Sequence, residues 1–181
     1  MKTLLHIVSL QVVWWTSVLS SIHFGYAPWL PFLWVIIFLL ISQFTHWFDP
    51  VDRVLAVILC TIGIVLDTLW IHLGMIDYIA DWPFAWLCPL WLFTLWFAVG
   101  FDFRHSLMWI NDHKLIGAIV TGAAGPSSYW SGAALGIATI PESMTYIFPI
   151  TLFISWFFLF PAFAKLALWL EARFNTLETK T

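Results

Sequence analysis

Leu115–Thr139 reads LIGAIVTGAAGPSSYWSGAALGIAT. At about 1.5 Å of rise per residue, this stretch is long enough and apolar enough to cross a hydrocarbon core of ~30 Å. It also holds five of the chain's nine glycines, a Gly125-Pro126 pair halfway along, and a polar step of Ser127, Ser128, Tyr129 and Ser131. Small residues let neighbouring helices approach closely. It is therefore expected to be the central helix of a membrane bundle.

The rest of the chain agrees with that expectation. Of 181 residues, 62% are hydrophobic and 9% charged, and the mean hydropathy is +0.92. A soluble domain of this size would need far more charged surface. The length allows one integral membrane domain, 1–181, and no separate soluble module. A net charge of −3 without a long basic run argues against nucleic acid as a partner. Cys60 and Cys88 lie in apolar segments and form no CxxC, so neither a disulfide framework nor a thiolate metal site is expected. Of the fourteen tryptophans, Trp34, Trp91 and Trp96 sit too deep for an interfacial belt and are expected to fill the bundle.

Six segments are candidate spans: 4–22, 29–47, 54–75, 84–103, 115–139 and 146–168. The fold class is thus all-α, a six-transmembrane-helix bundle. Lys2, Arg53, Arg104, Lys114, Lys165, Arg173 and Lys180 all fall on one side of it, while Asp77, Asp81 and Glu142 fall on the other. The positive-inside rule then places both termini in the cytoplasm. Lys2 followed by an apolar run also resembles a signal peptide. Gln11, Trp14 and Trp15 make a poor signal core, and no small-x-small site ends the run, so an uncleaved helix is expected.

Asp67 is the most informative single residue. It lies well inside the third candidate span, in GIVLDTLW, where a carboxylate costs roughly 2.5–3.5 kcal/mol on insertion scales. It should face the bundle or a wet cavity. Counted from the cytoplasmic ends, Asp67 and Ser128 both lie ~20 Å deep, so Asp67 is expected to meet the step at Ser127, Ser128 and Tyr129. Thr16, Ser17 and Cys88 reach a similar depth. Two readings stand: a buried polar site for a proton, ion or lipid head group, or a structural acceptor tying the third and fifth helices together. Pro126 lacks an N–H, so Gly125-Pro126 is either a break that frees a carbonyl or a packing kink. Gly132 and Gly136 form a GxxxG, expected to pack helices within the chain.

Four histidines, His6, His46, His105 and His113, fall near the cytoplasmic face; His23 and His72 fall near the outer one. No HxxxH or HExxH spacing supports a metal, and no cofactor is expected. The i to i+4 spacing of His105 and Trp109 places them on one helical face. There is no GxSxG elbow and no P-loop.

Three stretches are similar to a known family: LDTLWIHLGMIDY (66–78), PLWLFTLWFAVGFDFRHSLMWI (89–110) and GAAGPSSYWSGAALG (122–136). Together they resemble a family of small bacterial inner-membrane proteins known as a domain of unknown function (2878-like). The family pattern matches at Asp67, at Ser106, Leu107 and Trp109, and at Gly125, Pro126, Ser128 and Tyr129, with a polar residue, here His105, before the serine. The resemblance implies the six-span fold and the bacterial inner membrane. It brings no activity, though members look like companions of lipid-modifying functions.

Three functions are therefore expected as alternatives. One is a lipid-handling protein, enzyme or accessory, with Asp67 as acid/base or anchor, Ser127, Ser128 and Tyr129 at the head group, and His105 and Trp109 at a cytoplasmic mouth. Another is a small proton- or cation-coupled transporter. The last is a non-catalytic scaffold packing through its glycine face against other inner-membrane proteins.

Overall fold

Asp49 begins the best-defined helix. Its carboxylate accepts from the N–H of Val51 (2.8 Å) and of Asp52 (3.2 Å), and Asp52 accepts from the Asp49 N–H (2.9 Å). This reciprocal capping satisfies donors that a helix start leaves orphaned. Pro50 follows at the first helical position, where a missing N–H costs nothing. In the computed structural model, which describes residues 2–23, 29–45, 49–79, 84 and 86–178, this helix is α3 (Pro50–His72). The others are α1 (Lys2–His23), α2 (Trp29–Thr45), α4 (Leu90–Ser106), α5 (Lys114–Ala134) and α6 (Ile147–Glu178). Among the described residues, the regular structure is helical apart from two short strands, β1 (Asp77–Tyr78) and β2 (Ala138–Thr139).

α3 and α5 stop by the same device. After α3, Gly74 takes φ 64°, its N–H bonds the Ile71 carbonyl, and the Met75 N–H bonds the Trp70 carbonyl. After α5, Gly136 takes φ 83°, its N–H bonds Ala133, and the Ile137 N–H bonds Gly132. Both are Schellman turns, which need a left-handed residue and so favour glycine. Each turn feeds a strand, and the strands pair antiparallel, Asp77 with Thr139 and Tyr78 with Ala138.

Several boundaries move from their expected places. Cys88 precedes Pro89, which biases it away from helical backbone, so α4 starts at Leu90 rather than at Phe84. The fifth segment leaves the helix at Leu135, and its last residues belong to β2. α6 runs on past Leu168 to Glu178. α5 stays helical through Pro126, so Gly125-Pro126 does not interrupt it. The placement of His46 and Asp81 lies outside the described residues.

α3 packs along α4 and α5 along α6, while α1 and α2 pack on α4. Leu55, Leu59, Trp96, Phe103, Ile110, Phe160 and Phe163 form the largest buried cluster. The deep tryptophans do fill the interior: Trp91 and Trp96 are buried, and Trp34 packs against Val13, Ala56, Ala98 and Phe101. Outward faces remain strongly apolar, with Val65 61% and Phe158 68% exposed, whereas Asp52, Asp67 and Asp102 are fully buried. Among the described residues, two helices are long and apolar enough, by length and composition, to cross a membrane: Pro50–His72 and the Ile147–Thr176 part of α6. α2 and α4 have only 17 residues each, about 25 Å of helix.

One end of the bundle is held by ions. Arg104 of α4 reaches Asp49 (2.6 Å) and Asp52 (2.9 Å) at the start of α3, and its Nε reaches Glu171 of α6 (2.7 Å). Burial alone would raise the Asp49 carboxyl; the hydrogen bond and charge of Arg104 outweigh it and hold the group below its ordinary 3.8. A carboxylate depressed on folding stabilises above its unfolded pKa, and that contribution is lost as pH falls through the folded value. Asp49→Asn keeps a good N-cap and removes only the charge. It is expected to leave the unfolding midpoint within about 1 kcal/mol of wild type at neutral pH and to flatten its decline below about pH 4. Asp49→Ala removes the cap as well and should cost about 0.5–2 kcal/mol at any pH. Unfolding titrations in detergent at both pH values check this.

Candidate functional site

Asp67 sits nearly five helical turns into α3 on the face turned towards α4 and α5, and it is 0% exposed. Its two oxygens are divided between donors from three other elements. Trp96 of α4 donates Nε1–H to Oδ2 at 2.7 Å. Tyr78 of β1 donates its hydroxyl to Oδ1 at 3.1 Å, and the Tyr129 hydroxyl of α5 donates to the same oxygen. A buried carboxylate is tolerable only when its lone pairs are met in this way.

Each donor is placed by the fold. Trp96 lies with its indole directly over Gly63, where a Cβ would come within 2.0 Å of the ring. Tyr78 returns to Asp67 because the Gly74 turn reverses the chain and the strand pairing fixes its register. Its ring stands edge-on to Trp91, with centroids 5.8 Å apart. Tyr129 is wedged edge-on between Phe148 (5.7 Å) and Trp156 (6.2 Å) of α6.

These side chains border an inner cavity of about 50 Å³, lined also by Trp14, Trp91, Ser128 and Trp156. That is room for a few water molecules. Beyond it lies a groove of about 670 Å³ between α1 and α5, walled by Leu10, Gln11 and Trp15 on one side and Ala124, Ser127 and Ser131 on the other. Trp14 and Ser128 line both spaces, and the Trp14 Nε1–H donates to Ser128 Oγ at 3.1 Å across the boundary. A polar group entering from the groove would meet Ser128 first, then the two phenols, with the Asp67 carboxylate behind them.

The expected site residues fare unevenly. Tyr129 does reach Asp67, and Ser128 lines the inner cavity without touching it. Ser127 and Ser131 are exposed in the groove, and their hydroxyls donate to the carbonyls of Ala123 and Ser127 one turn back. Gly125 faces the Trp156 ring, which a Cβ would approach to 2.8 Å. Gly132 lies against Ile137 of its own turn, and Gly136 is an exposed turn residue, so the GxxxG builds a helix end and not a helix-packing face. Cys88 is buried beside α3, its N–H donating to Thr68 Oγ1.

His105 and Trp109 are not on one helical face. α4 ends at Ser106, and Trp109 falls in a separate 3-10 turn, Met108–Ile110, packed on the main core cluster. His105 instead stacks on His6 of α1, ring centroids 4.4 Å apart, and its Nε2 meets Asp52 Oδ2 at 3.2 Å. His6 Nδ1 meets Asp102 Oδ1 at 2.5 Å. Two stacked imidazoles, each on a buried carboxylate, thus join α1, α3 and α4 beside Arg104. Among the described residues, no group of three or more His, Cys, Asp and Glu side chains has metal-binding geometry.

Sequence reasoning missed Trp96 and Tyr78 as partners of Asp67, and Asp52, Asp102 and His6 as a polar cluster. A signal was present for two of them. A deep tryptophan N–H needs an acceptor, and Asp102 is a second carboxylate inside an apolar segment.

Fold and site together define an all-helical protein with helices suited to a membrane and a carboxylate caged between them. The chain belongs to the family described as Protein of unknown function (DUF2878), whose model matches residues 3–162. No curated protein and no solved structure matches it.

Proposed function

We propose that this protein spans the bacterial inner membrane with all six helices, both termini in the cytoplasm, and that it handles a membrane lipid, either modifying it or presenting it to a modifying enzyme. The arrangement of charge supports the topology. Arg53, Arg104 and Lys114 gather at the end where α3 and α5 begin and α4 finishes, and the opposite end carries the β1–β2 pair with Asp77. Exposed Val, Ile and Phe along the outer faces, set against fully buried aspartates, suit a hydrocarbon surrounding.

The observation that carries the lipid reading is the groove between α1 and α5. Its volume falls in the ~300–1,000 Å³ range of small-ligand sites. Its walls combine apolar side chains with serine hydroxyls, and its inner boundary, Trp14 and Ser128, is also part of the wall of the inner cavity that Tyr78, Tyr129 and Trp96 line. In this reading a chain lies in the groove, Ser128 and Tyr129 take the head group, and Asp67 acts through the phenols as anchor or proton acceptor.

The test is lipid profiling of a strain lacking this protein, complemented with wild type or with Asp67→Asn at equal membrane abundance. One lipid class should shift on deletion and return with wild type alone. An unchanged profile, or equal rescue by both forms, overturns the proposal.

A further inference from the structure

The groove and the inner cavity share one electrostatic property. Among the described residues, neither is lined by a Lys, an Arg or a His. Behind the inner wall stands the Asp67 carboxylate, held by Tyr78, Tyr129 and Trp96, which line the cavity. Arg104, which would otherwise suit an anion, is taken up by Asp49, Asp52 and Glu171 at the end of the bundle. What the groove does offer a head group is hydroxyls and an amide: Ser127, Ser128 and Ser131, the phenols beyond them, and Gln11 at the mouth.

Anionic head groups are recognised by Arg, Lys or clusters of free backbone N–H groups. A phosphate here would lose its hydration, gain no cation and approach a carboxylate in a medium that screens poorly. A hydroxyl incurs none of these costs. It can donate to Ser128 Oγ, as the Trp14 N–H now does, or to a tyrosine oxygen, and its own lone pairs can accept from a serine hydroxyl. Resting on the lipid-handling reading above, we propose that the ligand is a lipid with an uncharged hydroxyl head, entering laterally between α1 and α5. The Trp14–Ser128 hydrogen bond closes the inner cavity until the ligand hydroxyl replaces it on Ser128.

The probes are a long-chain alcohol carrying a photoreactive diazirine in mid-chain, and the same chain ending in a phosphate. Each is added to the full chain in phosphatidylcholine vesicles, and labelled peptides are mapped by mass spectrometry. The alcohol should label the facing walls of α1 and α5 saturably and exceed the phosphate by about tenfold or more. Ala124 and Ser127 are exposed on the groove wall, so Ala124→Trp or Ser127→Trp fills the space with little demand on the core and should abolish the labelling. Ser131→Lys should shift the preference towards the phosphate. Equal or better labelling by the phosphate overturns the uncharged-head inference and leaves the lipid reading standing. If neither probe labels the groove more than the outer face around Val65 and Phe158, both fall. Labelling that survives both tryptophan variants is surface partitioning and overturns the inference as well.

Discussion

Asp67→Leu is expected to destabilise the folded chain by about 3 kcal/mol or more, because three buried donors lose their acceptor at about 1–3 kcal/mol each. The cost should lie in the stranded donors more than in the loss of the carboxylate itself. Replacing both sides of a buried polar contact with apolar groups is often close to neutral. Asp67→Leu combined with Tyr78→Phe and Tyr129→Phe should therefore recover most of the lost stability, leaving only the Trp96 N–H without a partner. Equilibrium unfolding in mixed detergent micelles, read as a mutant cycle, gives the coupling directly. Asp67→Asn should fall between. Its carbonyl oxygen serves one side of the cage, and its NH₂ confronts a donor on the other, at about 1–3 kcal/mol. The triple variant also separates the two readings of Asp67. If the carboxylate only ties α3 to α5, the restabilised triple variant should restore the lipid profile of a deletion strain as well as the Tyr78→Phe, Tyr129→Phe double variant does, which lacks the same phenols but keeps the carboxylate. If the carboxylate acts on a ligand, the triple variant should be folded and still fail to restore it.

What the sequence revealed about this site follows from the kind of information each contact needs. Depth along a helix can be counted, so the meeting of Asp67 with the Ser-Tyr step was legible from spacing alone, and Tyr129 fulfils it. Rotation about the axis cannot be counted without knowing the neighbours. That is why Ser127 and Ser128, two residues and one residue before Tyr129, were grouped with it although only Tyr129 reaches the carboxylate. Tyr78 was hidden for a different reason. It returns to Asp67 only after the Gly74 turn and a strand pairing with residues sixty positions on, a non-local event that hydropathy does not register. The six helices were legible from their apolar runs, while their ends were set by local chemistry that a hydropathy window smooths over, as at Pro89 and Gly136. His105 and Trp109 show the same limit. Their spacing fits a helix, but the helix ends between them at Ser106.

Gly63→Ala and Gly100→Ala are expected to be comparably damaging, at about 1–3 kcal/mol or more for forcing a methyl into a filled space, and to respond in opposite ways to a second change. A Cβ at Gly100 would lie 2.6 Å from Ala56 Cα and 2.8 Å from the Leu55 carbonyl oxygen, both backbone atoms of α3. No side-chain trimming relieves that contact; α3 and α4 must separate. In lipid the separation matters more than in water, because helix association there depends on close van der Waals packing and not on burial from solvent. A Cβ at Gly63 would instead lie 2.0 Å from the Trp96 indole, a side chain. Trp96→Leu should therefore relieve much of the cost of Gly63→Ala and none of the cost of Gly100→Ala, a difference that detergent unfolding of the four variants resolves. If Trp96→Leu helps both equally, the ring is not what occupies the space over Gly63. The same geometry links packing to the candidate site. The ring that a methyl at position 63 would displace is the one that donates to Asp67 Oδ2, so Gly63→Ala frees one oxygen of the carboxylate without touching Asp67. Under the lipid-handling proposal, Gly63→Ala should weaken rescue of the lipid profile much as Asp67→Asn does, from a position that borders neither the groove nor the inner cavity.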